Sequence, residues 1–308
     1  MSDSLARFPR GILASAVVPW DESYGLMEDL FREQVARILA HTPLVYVMGT
    51  AGEGYAVSDE QFRQVTTAFA EEMRKAGAEP MVGVINMSAT TVHARIDWAR
   101  SLGVRDFQIS LPSWGVCTPV EAARFIDGVC SAHPDCRFLH YNLARAGRLL
   151  EPDEYAALSE RNPNLVATKN SSQVVSFLAS LQERSPRLRH FITDLGFCHA
   201  SLVGECGLLT ATTSCNPLTA RRYYDAGLRR DTATLLPLFQ ELLRLLRDLF
   251  ALVTPHGHMD GAYDKMYVKL TLPRFPLRLL PPYSCVPEEV FERFAELLRT
   301  RYPRWYPS

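Results

Sequence analysis

Short apolar runs rich in β-branched residues recur along the chain. Each is followed by a longer stretch in which apolar residues return every three or four positions. The runs fall at residues 11–19, 44–49, 81–86, 106–111, 137–142, 165–169, 190–194 and 207–212. The amphipathic or mixed stretches between them, residues 27–39, 59–75, 91–101, 120–131, 152–160, 173–184 and 197–203, predict helices. Strand, helix, strand repeated in this way predicts a parallel sheet. Eight units match a (β/α)8 TIM barrel better than a doubly wound sheet. No G-x-G-x-x-G follows the first run, so a dinucleotide fold has no local support. Ser58 and Gln61 have the spacing of a capping box, and Thr118 before Pro119 reads as an N-cap with proline in the first turn. Beyond the eighth run, a leucine-rich helix over 235–252 and a last helix over 286–298 are joined through a loop-like 273–282. The chain therefore divides into a barrel over 1–220 and a helical extension over 221–308, packed together as a single structural unit.

Composition narrows the function classes. The 308 residues are 47% hydrophobic and 22% charged, with a net charge of −1. Neither nucleic acid nor an anionic membrane is an expected partner. No apolar stretch approaches the ~20 residues of a membrane span. Arg7 and Arg10 before the apolar 12–18 superficially resemble a short signal peptide, but the run ends at Pro19-Trp20 and reads equally well as a first barrel strand. Seven cysteines without a C-x-x-C pair suit the reduced thiols of a cytoplasm.

The candidate chemistry starts at Lys169, which closes the apolar run Leu165-Val166-Ala167-Thr168. Of the four lysines, Lys75 lies in a charged helical stretch, and Lys265 and Lys269 lie in a mixed C-terminal segment. Only Lys169 ends a run that reads as buried. A lysine withdrawn from water supplies a neutral amine able to attack a carbonyl, which arginine cannot do. The alternative is a strand-end lysine that reaches solvent or pairs with Asp194. Tyr141 shares strand parity with Leu139, as Lys169 does with Ala167, so adjacent strands bring a phenol and an amine to the barrel mouth. The glycine-rich 49–54 after the second strand offers backbone N–H groups and the Thr50 hydroxyl to an anion such as the carboxylate of a 2-oxo acid. His140, of opposite parity, is expected against the helical layer, and Cys117 lacks a partner base. His256, His258 and Asp260 are too loosely spaced to predict a metal site.

Gly49-Thr50-Ala51-Gly52-Glu53-Gly54 resembles the G-[ST]-T-G-E loop of the dihydrodipicolinate synthase / N-acetylneuraminate lyase family, which are class I aldolases with a (β/α)8 fold. Tyr141-Asn142 resembles its Y-N motif, and Thr168-Lys169 with Ser171-Ser172 its Schiff-base segment. The resemblance implies that Lys169 forms an imine with pyruvate or another 2-oxo acid. It also implies that Tyr141 relays protons, that Thr50 with the Ala51 and Gly52 amides holds the carboxylate, and that the protein is a homodimer or homotetramer. It implies no metal or other cofactor.

The departures matter as much. Ala51 replaces the family's second threonine. Pro112-Ser113-Trp114-Gly115 replaces a P-Y-Y-N segment whose second tyrosine serves a proton relay between subunits. The loop after Tyr141-Asn142 is one residue short, with Arg145 at the place of the arginine that binds a second carboxylate in synthases. These changes argue against a dihydrodipicolinate synthase proper. They resemble the hydratase-aldolase branch, in which Trp114 would be a flat wall for a bulkier aldehyde or, equally, a plug at the rim or a subunit contact. With Thr210 on the eighth strand, the expected site comprises catalytic Lys169, Tyr141 and Thr50 and substrate-binding Ala51, Gly52, Trp114, Arg145 and Thr210. The expected activity is a lyase joining or splitting a 2-oxo acid and an aldehyde. A sugar-acid dehydratase using the same lysine and a non-catalytic 2-oxo acid binding protein are the alternatives.

Overall fold

The computed structural model describes residues 7–256 and 259–307. Eight parallel strands close into a barrel in sequence order: β1 Ile12–Ser15, β2 Val45–Val47, β3 Met81–Gly83, β4 Asp106–Ile109, β5 Arg137–Asn142, β6 Leu165–Asn170, β7 Arg189–Thr193 and β8 Gly207–Leu209. The helices that follow them are α1 Glu28–Leu39, α2 Asp59–Lys75, α3 Ala89–Ser101, α4 Pro119–Ala132, α5 Pro152–Arg161, α6 Val175–Arg184, α7 Asp194–Val203 and α8 Pro217–Arg229. Three further helices, α9 Thr232–Val253, α10 Asp260–Thr271 and α11 Glu288–Arg301, complete the chain.

Local chemistry sets the helix starts. Ser58 and Gln61 form the expected reciprocal capping box at α2, and Thr118 and Glu121 form another at α4, where Pro119 occupies the first turn. Asn216 caps α8 by accepting from the Thr219 amide at 2.9 Å. The break expected after residue 220 falls inside α8, so the eighth barrel unit runs to Arg229. Asp194, expected at a strand end, is the first residue of α7 instead.

Strand alternation divides the core. Inward-facing Leu13, Tyr46, Met81, Leu139, Ala167, Phe191 and Leu209 fill the lower barrel, with Phe8 edge-on to Phe191 at 5.9 Å below them. Outward-facing Val47, Val82, Phe107, Ile109, Phe138 and Ile192 join the helices in one continuous cluster that extends to Leu298 and Trp305 near the C-terminus. The helices after the barrel thus share its core. The fully buried Leu242 anchors α9 within that cluster. Leu242→Ala is expected to cost about 2–5 kcal/mol through lost burial and a residual cavity. Urea unfolding measures this, and a loss under about 1 kcal/mol would show that α9 stands outside the cooperative core.

Candidate active site

Lys169 and Tyr141 are register partners on β6 and β5. Both side chains enter a cavity of about 500 Å³ at the C-terminal ends of the strands. Only 4% of Lys169 is exposed. Its Nζ lies 3.7 Å from the centre of the Tyr141 ring and donates to the Tyr46 hydroxyl at 2.9 Å. Among the described residues it forms no ion pair, so neither the solvent-reaching nor the Asp194-paired alternative holds. Burial pushes the Tyr46 phenol well above its ordinary range, so this hydroxyl keeps its proton beside the amine. Asn142, the next residue on β5, clamps the loop that follows. Its side chain donates to the Leu150 carbonyl at 3.0 Å and accepts from the Leu150 amide at 2.8 Å.

The 49–54 loop is built by close backbone approach. Met48 and Glu53 both have positive φ, at 61° and 56°. A Cβ on Gly54 would lie 2.0 Å from the Met48 carbonyl oxygen, and one on Gly52 2.7 Å from the Met48 nitrogen, so both positions demand glycine. Thr50 and Ala51 line the cavity; Gly52 stands behind them. Among the described residues, no acceptor takes the Ala51 or Gly52 amide. The Glu53 carboxylate is fully buried and holds the loop in place. Trp20 Nε1 donates to it at 2.9 Å, the Leu280 amide donates at 2.7 Å, and Lys265 Nζ lies 2.6 Å away. Lys265 is itself fully buried, although it lies in a mixed segment that does not read as buried in the sequence. Burial pulls the Lys265 ammonium below its ordinary range, and Glu53 opposes that pull.

Carboxylates supply much of the remaining polar wall. Asp194, from the start of α7, accepts a short hydrogen bond from Thr210, whose hydroxyl also lies 2.7 Å from that of Thr212. Burial raises the Asp194 carboxyl to about 6. Asp260 and Asp264 lie one turn apart on α10. Burial, then the charge of Asp260, lifts the Asp264 carboxyl well above its usual range, while Lys169 partly offsets the effect. Burial would also raise Asp260, but the paired Arg145 guanidinium overrides it and the net shift is downward. Arg145 donates to both Asp260 oxygens, at 3.0 and 2.7 Å, and Tyr263 donates to the same carboxylate at 2.8 Å.

The cavity therefore gathers Lys169, Tyr141, Thr50, Ala51, Arg145 and Thr210. Trp114 is not among its walls: the side chain is 90% exposed on the β4–α4 loop, and the expectation of a flat substrate wall is corrected accordingly. His140 lies in the helical layer as expected, 2.7 Å from the Tyr155 hydroxyl of α5. Of the loosely spaced metal candidates, His258 and the side chain of His256 lie outside what the structure describes, and Asp260 is bound to Arg145. Among the described residues, no three His, Cys, Asp or Glu side chains converge on a metal position. Sequence reading missed Tyr46 and Asp264. Tyr46 was signalled by a lone hydroxyl in an apolar strand, and Asp264 by its spacing of four from Asp260.

The sequence profile of the Dihydrodipicolinate synthetase family matches residues 8–278. The chain belongs to this family. It is a divergent member: a 4-hydroxy-tetrahydrodipicolinate synthase of Parasynechococcus marenigrum is 25% identical over 259 residues, spanning 82% of this chain and 84% of the relative. Among solved structures, YagE from E. coli K12 superposes with a TM-score of 0.85 at 17% identity, covering 95% of this chain and 98% of that one. The 4-hydroxy-tetrahydrodipicolinate synthase of Methylacidiphilum fumariolicum SolV gives 0.85 at 18% identity, covering 96% and 97%. At these identities the structural likeness establishes the barrel fold. Among the described residues, no helix of this family member is long and apolar enough to cross a membrane.

Two measurements probe the site's framework. Glu53→Gln leaves Lys265 buried without its counter-charge and is expected to cost about 3–5 kcal/mol. Adding Lys265→Met is expected to recover part of that loss, and strict additivity in the double-mutant cycle would show that the pair is not coupled. The second concerns Asp194, whose folded-state carboxyl titrates near 6 against an ordinary 3.8. A raised acid stabilises the fold fully below about pH 4 and loses that contribution as pH rises through about 6. The stability of the wild type relative to Asp194→Asn should therefore fall by about 1–3 kcal/mol between pH 4 and pH 7. A pH-independent difference in urea unfolding would contradict the raised acid.

Proposed function

We propose that the protein is a class I lyase that forms an imine between Lys169 and pyruvate or a related 2-oxo acid, and makes or breaks a carbon–carbon bond to an aldehyde. The observation that carries this reading is a buried amine set between two phenols at the floor of a cavity, beside a loop with free amides. YagE was solved in complex with pyruvate, which gives the keto acid a precedent in a protein of the same fold.

The chemistry follows from the groups present. The Lys169 nitrogen attacks C2 of the keto acid, and proton transfer to the resulting carbinolamine releases water and leaves the iminium. Loss of a C3 proton gives the enamine, with the iminium nitrogen as the electron sink. The enamine carbon then bonds to the aldehyde carbon, whose oxygen takes a proton, and water releases the product from the lysine. The reverse sequence cleaves the same bond. Tyr141 serves as proton relay, with its ring against the reacting nitrogen and its strand fixed by register to that of Lys169. Tyr46 orients the amine before attack. Thr50 and the Ala51 and Gly52 amides bind the keto-acid carboxylate. Ala51, where synthases carry a second threonine, supports an activity other than that of dihydrodipicolinate synthase proper. A homo-oligomer belongs to the same proposal.

Borohydride reduction with pyruvate should add a lactyl-type mass to the peptide that contains Lys169, and Lys169→Arg should abolish it. Without any aldehyde, the enzyme should also exchange the pyruvate methyl protons for deuterium through the enamine. Tyr141→Phe should slow that exchange by about 10²-fold or more. Absence of both adduct and exchange with pyruvate and longer 2-oxo acids would leave a barrel that binds without turnover.

A further inference from the structure

We infer that the second substrate is an aldehyde on an uncharged aromatic or alkyl body, and that the cavity turns away aldehydes bearing a carboxylate. The inference rests on the Lys169 imine proposed above and concerns the part of the cavity that the keto acid leaves free.

The charges of that region decide it. Among the described lining residues the cations are Lys169 and Arg145. Lys169 is committed to the keto acid. Arg145 uses both terminal nitrogens on Asp260, at 3.0 and 2.7 Å, and Asp260 is further held by Tyr263 at 2.8 Å. In a bidentate guanidinium–carboxylate pair of this kind Asp260 already neutralises the cation, so the N–H groups left over offer a second anion little net positive charge. Asp194 and Asp264 add two more carboxyl groups to the same cavity, neither paired with a cation among the described residues. A substrate carboxylate would therefore share a partly desolvated cavity with the Asp260 carboxylate, without a cation of its own. Like charges brought together out of water are how a site rejects a ligand.

The uncharged body has a place. Leu246, Leu249 and Phe250 of α9 form an apolar wall, and Phe250 stands edge-on to Tyr263 at 5.5 Å and 87°. The cavity, about 500 Å³, is several times larger than a three-carbon acid. A phenyl-sized group fits beside α9, and Asp194 or Asp264 remains able to accept from a hydroxyl or amide on it.

The test compares two aldehydes of nearly equal shape, 4-formylbenzamide and 4-formylbenzoate, each with pyruvate. The amide should have the higher kcat/KM by about tenfold or more. Asp260→Asn frees the Arg145 guanidinium and should shrink that preference about tenfold, mainly by improving the carboxylate. Arg145→Met, which leaves Asp260 unpaired, should widen it. This second variant keeps the test decisive if Asp260→Asn folds poorly. Equal use of the two aldehydes by the wild type, preference for the carboxylate, or an unchanged or narrowed preference in Arg145→Met would overturn the inference. If neither aldehyde turns over, calorimetric titration of the borohydride-trapped pyruvate adduct must show the same preference in Kd, and binding of neither would also overturn it. Methyl-proton exchange of pyruvate on the same preparation separates the two claims. Its absence defeats the Lys169 reading, whereas normal exchange without the amide preference defeats only the charge selection.

Discussion

The buried pair of Glu53 and Lys265 is the constraint on which the site depends. Both side chains are fully buried, and the carboxylate also takes the Trp20 indole and the Leu280 amide. An ion pair removed from water this completely contributes little net stability relative to an apolar pair of the same shape, because desolvation offsets the attraction. What it does is specify geometry. A carboxylate that must meet three donors at once permits one arrangement of the 49–54 loop, including the left-handed Glu53 backbone. The same lysine anchors α10, whose Gly261 lies so close to the loop that a Cβ there would sit 3.3 Å from the Ala51 carbonyl. Because α10 also carries Asp260 and Asp264, the 49–54 loop and the helix that contributes two of the cavity's carboxyl groups are fixed to one another.

The barrel supplies the other half of the geometry. Parallel register pairs Tyr141 with Lys169 directly, and a residue on a neighbouring strand at the same level needs no loop to position it. Asn142 then ties the following loop back at Leu150, so Arg145 reaches Asp260 from a segment held at both ends. Rigid strands place Lys169 and Tyr141, whereas the Arg145–Asp260 pair comes from a loop and a helix joined across the cavity.

This division explains what the sequence made legible. Strand parity is a local property, so the convergence of Tyr141 and Lys169 could be read from two short runs, as could the capping boxes at Ser58 and Thr118. The walls contributed by α9 and α10 lie far away in sequence, and nothing local links Asp260 to Arg145. The polar residues of α10 point inward to the cavity and to Glu53, so its sequence does not show the apolar face that marks a core helix. Lys265 was read as one of two lysines in a mixed segment for the same reason. Trp114 differs: a large aromatic residue near a strand end is expected to seek burial, but here its side chain is exposed on the loop between β4 and α4. The boundary expected at 220 falls inside α8, whose start is set locally by the Asn216 cap and Pro217 rather than by an apolar pattern.

The electrostatics of the empty cavity and of the proposed intermediate are connected. Asp264 is driven toward its neutral form by burial and by Asp260, and the charge of Lys169 restrains that drive. An iminium on Lys169 keeps a positive charge at this point of the barrel, whereas the enamine that follows does not. Asp264 is therefore most inclined to ionise when the cation is present and most inclined to hold a proton once it is discharged. A proton accepted near the iminium and returned as the enamine attacks its partner would follow that change in charge without any movement of the backbone. Asp264, whose ionisation burial holds back, is thus more than incidental polar lining: its protonation is tied to the charge that the proposed imine would carry and discharge at Lys169.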